Sequence, residues 1–322
     1  MIVGLIANPA SSKDIRRLTG LARVVDVEEK ANLVARFLVG LAAAPNVEVL
    51  AVDDQAGLVR RAVRLAGDRG ASVGYLDLEV EGSEADTRLG AAMLKASGAR
   101  ALVTIGGDGT VRAAAEGWPE APLVPVAAGT NNAFALTEEP TVIGLATALA
   151  VAGDGGAFAP TTAIAVQTTK GEAVAVIDAV VVRDHWVGAG AIVSPDRLVE
   201  AFVTSSRRTA VGVASISAAL GPLAGGHARR ISFGGSAVVR AVFGPGVVLD
   251  IPVADFDDLP GGSEARLMES AGLVALDGER RLPAAGGLVR VIAGPRVLNL
   301  ELAFSAGSIG LTPATGGVSL GR

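Results

Sequence analysis

VTIGGDGTVRAAA, residues 103–115, is the stretch whose reading decides the fold. An apolar, β-branched run enters Gly106 and Gly107, Asp108 follows, and after Gly109 and Thr110 an alanine-rich helical pattern begins. Glycines between a strand and a helix permit positive φ and let a ligand approach the backbone closely. The helix N-terminus beyond them attracts anions. Two common phosphate loops are absent: from Gly107 the pattern G-x-G-x-x-G reaches Gly109 and then meets Arg112, and no GxxxxGK[ST] occurs in a chain with four lysines. A carboxylate inside a phosphate loop needs work compatible with phosphate. It either coordinates Mg2+ bridging the phosphates or accepts the proton of a hydroxyl being phosphorylated. Thr110 is placed to cap the helix and donate to a phosphate oxygen. The plain alternative is a Gly-Asp-Gly turn joining strand to helix.

Working outward, the first 130 residues alternate strand and helix patterns. IVGLIAN is an apolar run ended by Asn-Pro; VEEKANLVARFLVGLAAA (27–44) sets Val27, Ala31, Val34, Leu38 and Leu41 at helical spacing. VEVLAVD and SVGYLDLEV read as strands, and QAGLVRRAVRLAG as a helix closed by Gly67. SEADTRLGAAMLKASG opens with Ser83 and Asp86 at capping-box spacing and ends at Gly98. Such alternation implies a parallel sheet covered on both faces, whose ligands bind at the carboxyl ends of the strands. Asn8, the 106–110 loop and the 128–132 loop all fall at such ends.

After about residue 137 the pattern changes. TAIAVQTTKGEAVAVIDAVVV predicts a β-hairpin turning near Lys170-Gly171, and SPDRLVEAFVT (194–204) predicts a helix with Ser194 as N-cap and Pro195 in its first turn. From 229 onward strand-like runs alternate with Gly/Pro turns. The expected architecture is α/β: a Rossmann-like domain with a parallel sheet over 1–137, then a mostly antiparallel β domain over 138–304. The glycine-rich tail, 305–322, either packs back on the first domain or stays loose.

Gly106-Gly107-Asp108-Gly109-Thr110 after an apolar strand resembles the signature of the NAD kinase and diacylglycerol kinase superfamily, and IANPAS resembles its first-strand Asn-Pro motif. The order of the two domains matches over nearly the whole chain, and bacterial ATP-NAD kinase-like proteins, including the acetoin-catabolism AcoX group, are the suggested relatives. The resemblance implies an ATP- and Mg2+-dependent kinase with Asp108 catalytic and Asn8, Gly106, Gly107, Gly109 and Thr110 about the phosphates. AAGTNNAFA (127–135) resembles the second loop of the lipid-kinase branch and adds Gly129, Thr130, Asn131 and Asn132, whose neutral donors and acceptors suit ribose, adenine or phosphate. The asparagines also suit a left-handed turn. Standard NAD kinases carry an Asn-Glu pair on a later strand; here Asp178-Ala179 stands there, so Asp178 either takes part of that role or faces solvent near a strand end. VALDGERRL (274–282) resembles the lipid-kinase Asp-Gly-Glu motif, offering Asp277 and Glu279, yet Asp-Gly between strands is also the commonest hairpin turn. Lys13, Arg16 and Arg17 follow Asn8, and Arg112 follows Thr110; these can balance triphosphate charge or form a solvated helix face.

The acceptor implied first is NAD, phosphorylated to NADP. A lipid or small-polyol kinase of the diacylglycerol kinase type and a non-catalytic nucleotide-binding regulator are the alternatives. A net charge of −5 argues against a nucleic-acid partner. The absence of cysteine removes disulfides and thiolate chemistry and fits a cytoplasmic protein. His185 and His227, the only histidines, sit in no triad or metal-ligand pattern. The run at 209–227 is too weakly hydrophobic for membrane insertion and reads as a buried helix followed by a loop. The superfamily resemblance implies a homodimer or tetramer.

Overall fold

The computed structural model describes residues 1–11, 21, 25–129, 132–183, 195–268, 272–278 and 280–306. Lys13, Arg16, Arg17, Thr130, Asn131, His185, Ser194, Glu279 and the tail beyond 306 lie outside them.

The N-terminal part runs β1 (Ile2–Ala7), α1 (Val27–Leu41), β2 (Glu48–Ala51), α2 (Leu58–Ala66), β3 (Ser72–Tyr75), α3 (Glu84–Ala96), β4 (Ala101–Gly106), α4 (Asp108–Gly117), β5 (Pro122–Ala127) and α5 (Pro140–Ala152). There follow β6 (Phe158–Ala159), β7 (Thr162–Thr168), β8 (Gly171–Ala175), β9 (Asp178–Val182), β10 (Leu198–Val203), α6 (Val213–Ala219), β11 (His227–Gly244) and β12 (Val247–Pro260). The chain closes with β13 (Glu264–Arg266), β14 (Leu273–Leu276), β15 (Arg280–Pro283), β16 (Leu288–Ala293), β17 (Arg296–Leu298) and α7 (Leu300–Ala306).

The first sheet has the order β3-β2-β1-β4-β5-β17-β6. All its pairings are parallel except β17 with β6. From β1 the chain winds one way to β2 and β3; from β4 it winds the other way to β5. The direction of winding therefore reverses between β1 and β4, which opens a crevice at their carboxyl ends. One face of this sheet packs on α1 and α5 through Val34, Phe37, Leu38, Leu41 and Ile143. On the other face Leu94, Val111, Ala114 and Trp118 share a single apolar cluster with Ile177, Val180, Ala201 and Ile231 of the C-terminal strands. The cap expected for α3 forms: Ser83 Oγ accepts from Ala85 N, and the Asp86 carboxylate accepts from Ser83 N at 3.0 Å.

The C-terminal strands form two antiparallel sheets, β12-β11-β10-β9-β14-β15 and β13-β16-β7-β8. They face each other across Ile164, Val166, Ala175, Val181, Phe202 and Val274. One expectation fails here. Pro195–Arg197 makes a short 3-10 turn, and Leu198–Val203 is a strand paired on both edges, with β9 and β11. The run is apolar apart from Glu200 and buried on both faces, so it carries no periodicity to separate helix from strand. Glu200 is fully buried, accepting from Arg230 Nε at 2.5 Å and Met268 N at 3.0 Å. The 209–227 run holds α6 followed by a loop, and no helix among the described residues is long and apolar enough to cross a membrane.

Candidate functional site

Three loops leave the sheet side by side at the crevice. Asn8 N donates to Ile105 O at 2.9 Å and Ala128 N to Gly106 O at 2.8 Å, which brings the ends of β1, β4 and β5 into one row. Side chains then stitch the loops together. Asn8 Nδ2 donates to Thr110 Oγ1 at 2.9 Å. Ser11 Oγ donates to the carbonyls of Asn8 and Ala128 at 3.0 and 3.2 Å. Asn132 closes its own loop, accepting from Gly129 N and donating to Gly129 O, both at 3.0 Å.

Glycine is required where the loops meet. A Cβ on Gly129 would stand 2.5 Å from Gly107 Cα, and one on Gly106 would stand 2.8 Å from Thr110 Cβ. Both distances lie inside van der Waals contact, so Gly129 lies directly against the Gly107 backbone and the Thr110 side chain folds over Gly106 with no room for a Cβ. Beyond Gly107 the first turn of α4 presents the positive end of the helix dipole.

Asp108 opens that helix and is buried. Its carboxylate accepts from Ala133 N at 3.0 Å and Phe134 N at 3.1 Å, tying the glycine loop to the segment after Asn132.

Asp277 and Gly278 both take positive φ (48° and 73°) in the turn between β14 and β15, so the turn role of this pair is real. The side chain has a second role. Asp277 is buried, and its carboxylate accepts from the amides of Val176, Ile177 and Asp178 at 2.8–3.1 Å, fixing the corner from which β9 and Asp178 begin. Burial pushes its pKa up to about 6, against the opposing pull of those amides and of the Arg112 charge. Asp178, also buried, stands at that corner and not on a solvent face.

Two charged residues are buried here: Arg112, whose sequence position leaves open a phosphate role or a solvated face and which takes neither exposed place, and Lys30, which the sequence pattern did not single out. Arg112 is fully buried one turn after Asp108; burial pulls its pKa down, but the carboxylates of Glu84, Asp277 and Glu116 outweigh this and raise it. It pairs with Glu84 at 2.5 Å and with Glu116 at 2.9 Å. Lys30 in α1 is 1% exposed, and its Nζ donates to the carbonyls of Pro9, Ser11 and Asn8 at 2.9, 2.5 and 3.4 Å. A signal existed for Lys30: it lies three residues after Val27 and four before Val34, on the apolar stripe of α1. Among the described residues no three His, Cys, Asp or Glu side chains converge as a metal cluster.

A reversal of sheet winding with an anion-seeking glycine loop at its mouth, followed by antiparallel sheets, defines an α/β chain of the NAD kinase fold. Residues 3–154 match the ATP-NAD kinase N-terminal domain, and residues 162–292 match the acetoin catabolism protein X C-terminal domain. Acetoin catabolism protein X of Cupriavidus necator is 34% identical over 301 residues, 87% of this chain and 84% of the relative. The chain belongs to the acetoin catabolism protein X family, and its NAD kinase-like domain supports a kinase-type function.

Proposed function

We propose that this chain is an ATP- and Mg2+-dependent kinase that phosphorylates a hydroxyl of a small molecule, with NAD, converted to NADP, as the leading acceptor. The observation that carries the reading is the convergence of Asn8, the 106–110 loop and the 128–132 loop at the β1/β4 crevice, with Asp108 at the head of α4. In this reading residues 1–137, with the elements of 138–304 that return to the first sheet, form the nucleotide half, and the two antiparallel sheets form the acceptor half. Gly106, Gly107, Gly109, Thr110 and Asn8 take the phosphates; Gly129, Thr130, Asn131 and Asn132 take the nucleoside.

The acceptor oxygen bonds to the γ-phosphorus as the bond to the ADP oxygen breaks, and the hydroxyl proton passes to the Asp108 carboxylate. Mg2+, when bound, would neutralise phosphate charge and be held chiefly by phosphate oxygens and water; Asp108 is the carboxylate of the glycine loop that could hold it if it is not the proton acceptor. Positioning and charge neutralisation supply most of the catalysis in such a transfer. Asp178 and Asp277 frame the acceptor side, with Asp178 where standard NAD kinases place Asn-Glu.

A second reading, a nucleotide-binding regulator without catalysis, draws on the amides that already occupy part of Asp108. A lipid or polyol acceptor draws on Asp178-Ala179. Differential scanning with ATP, NAD, NADP and a diacylglycerol analogue separates the three, because a bound ligand raises apparent stability. The kinase reading expects ATP and NAD each to raise Tm and Asp108→Asn to abolish turnover while ATP still binds. Turnover by Asp108→Asn at the wild-type rate removes Asp108 from the chemistry.

A further inference from the structure

We propose that Lys30 is the positioning residue of the phosphate half of the site: its buried ammonium shapes the turn at 8–11, through which the three loops are fastened together. This rests on the reading of the crevice as a nucleotide site and adds to it a residue and a mechanism. Lysine is rarely buried without partners, because removing an ammonium from water costs several kcal/mol. Here its partners include the backbone carbonyls of one short turn, those of Asn8, Pro9 and Ser11. Carbonyl dipoles aimed at one point repel each other unless a cation sits there, and hydrogen bonds from a cation are about twice as strong as neutral ones. The turn that Lys30 gathers is the one that holds the other loops. Asn8 Oδ1 accepts from Ala10 N at 2.9 Å while its Nδ2 reaches Thr110, at the first turn of α4. Ser11 reaches Ala128 on the far side of the glycine loop. The ammonium therefore acts through Asn8 on the phosphate end of α4 and through Ser11 on the nucleoside loop.

The apolar stripe around Lys30 sharpens the assignment. If packing alone mattered, an apolar side chain would serve between Val27 and Val34, since replacing a buried ion by a hydrophobe is often neutral. The test is calorimetric titration of the full chain, as wild type, Lys30→Met and Lys30→Arg, with Mg-ATP, inorganic triphosphate and adenosine. It is run at a temperature where circular dichroism shows each variant fully folded. Lys30→Met should weaken ATP and triphosphate about tenfold or more, and Lys30→Arg about threefold, because its broad guanidinium cannot gather the same carbonyls. Adenosine affinity should fall by less than triphosphate affinity, since only the Ser11 contact reaches the nucleoside loop. Unchanged triphosphate affinity in either folded variant overturns the proposal, as does an equal loss for adenosine. If Lys30→Met does not fold, Lys30→Arg decides by the same criterion. Wild type that binds neither ATP nor triphosphate overturns the nucleotide reading and this inference together, whereas wild-type binding with unaltered variants overturns this inference alone.

Discussion

At Asp108 an alanine would leave the amides of Ala133 and Phe134 without their acceptor. Stranding two such donors costs about 2 kcal/mol or more, read as a lower urea midpoint, while Asp108→Asn keeps one acceptor and costs about half as much. The difference matters because Asp108→Asn is the variant that separates proton acceptance from loop anchoring. Asp277 makes a pH-dependent prediction. Its pKa rises from 3.8 to about 6 on folding, so the folded chain binds this proton more tightly than the unfolded chain. Its contribution is present below about pH 4 and lost as pH rises through about 6, about 3 kcal/mol at most. In Asp277→Asn an amide oxygen in place of Oδ1 still accepts from Val176, Ile177 and Asp178. The stability difference, wild type minus variant, should therefore fall between pH 4 and about 6.5 in urea melts. A flat difference would place the titration elsewhere. At this scale the glycine loop was legible because its chemistry is written in consecutive residues. The partners of Arg112 and Lys30 were only partly legible: Glu116 lies one turn from Arg112, but Glu84 lies 28 residues away and the carbonyls that Lys30 meets lie 19 to 22 residues away, and only the fold brings these together.

Among the elements, α3 depends on its capping box and delivers Glu84 to Arg112. Ser83→Ala should cost about 1 kcal/mol of stability, measured by thermal melting. Gly129→Ala tests the meeting of two loops instead of one helix end. Its Cβ would force Gly107 away, so we expect a loss of about 1–3 kcal/mol together with weaker ATP binding. A variant with unchanged Tm and ATP affinity would show that the two loops part freely. The helices were legible where polar and apolar residues alternate with a helical period, as in α1, and where Ser83 and Asp86 announce a start. β10 was misread because Leu198–Val203 is buried on both faces and so loses the alternation that marks a half-exposed strand. Its one polar residue, Glu200, is neutralised by Arg230 from the neighbouring strand.

Across the whole molecule, one apolar cluster runs from the helices of the first sheet into the six-stranded sheet. Parts that share a core should unfold together, so calorimetry should give one transition with equal calorimetric and van't Hoff enthalpies; two resolved transitions would show the parts to be independent. The parallel sheet was legible from alternating strand and helix patterns, and the site from strand ends that such a sheet brings into one row. The return of β17 and β6 to the first sheet was not, since three-residue and two-residue strands carry no period. The central claim, phosphoryl transfer directed by the glycine loop, is tested most directly by incubating purified chain with ATP, Mg2+ and NAD and assaying NADP by enzymatic cycling. We expect NADP from the wild type and at least a hundredfold less from Asp108→Asn, a loss of the size general-base removal produces (~10²–10⁴). Wild type that binds ATP yet forms no NADP would contradict the account.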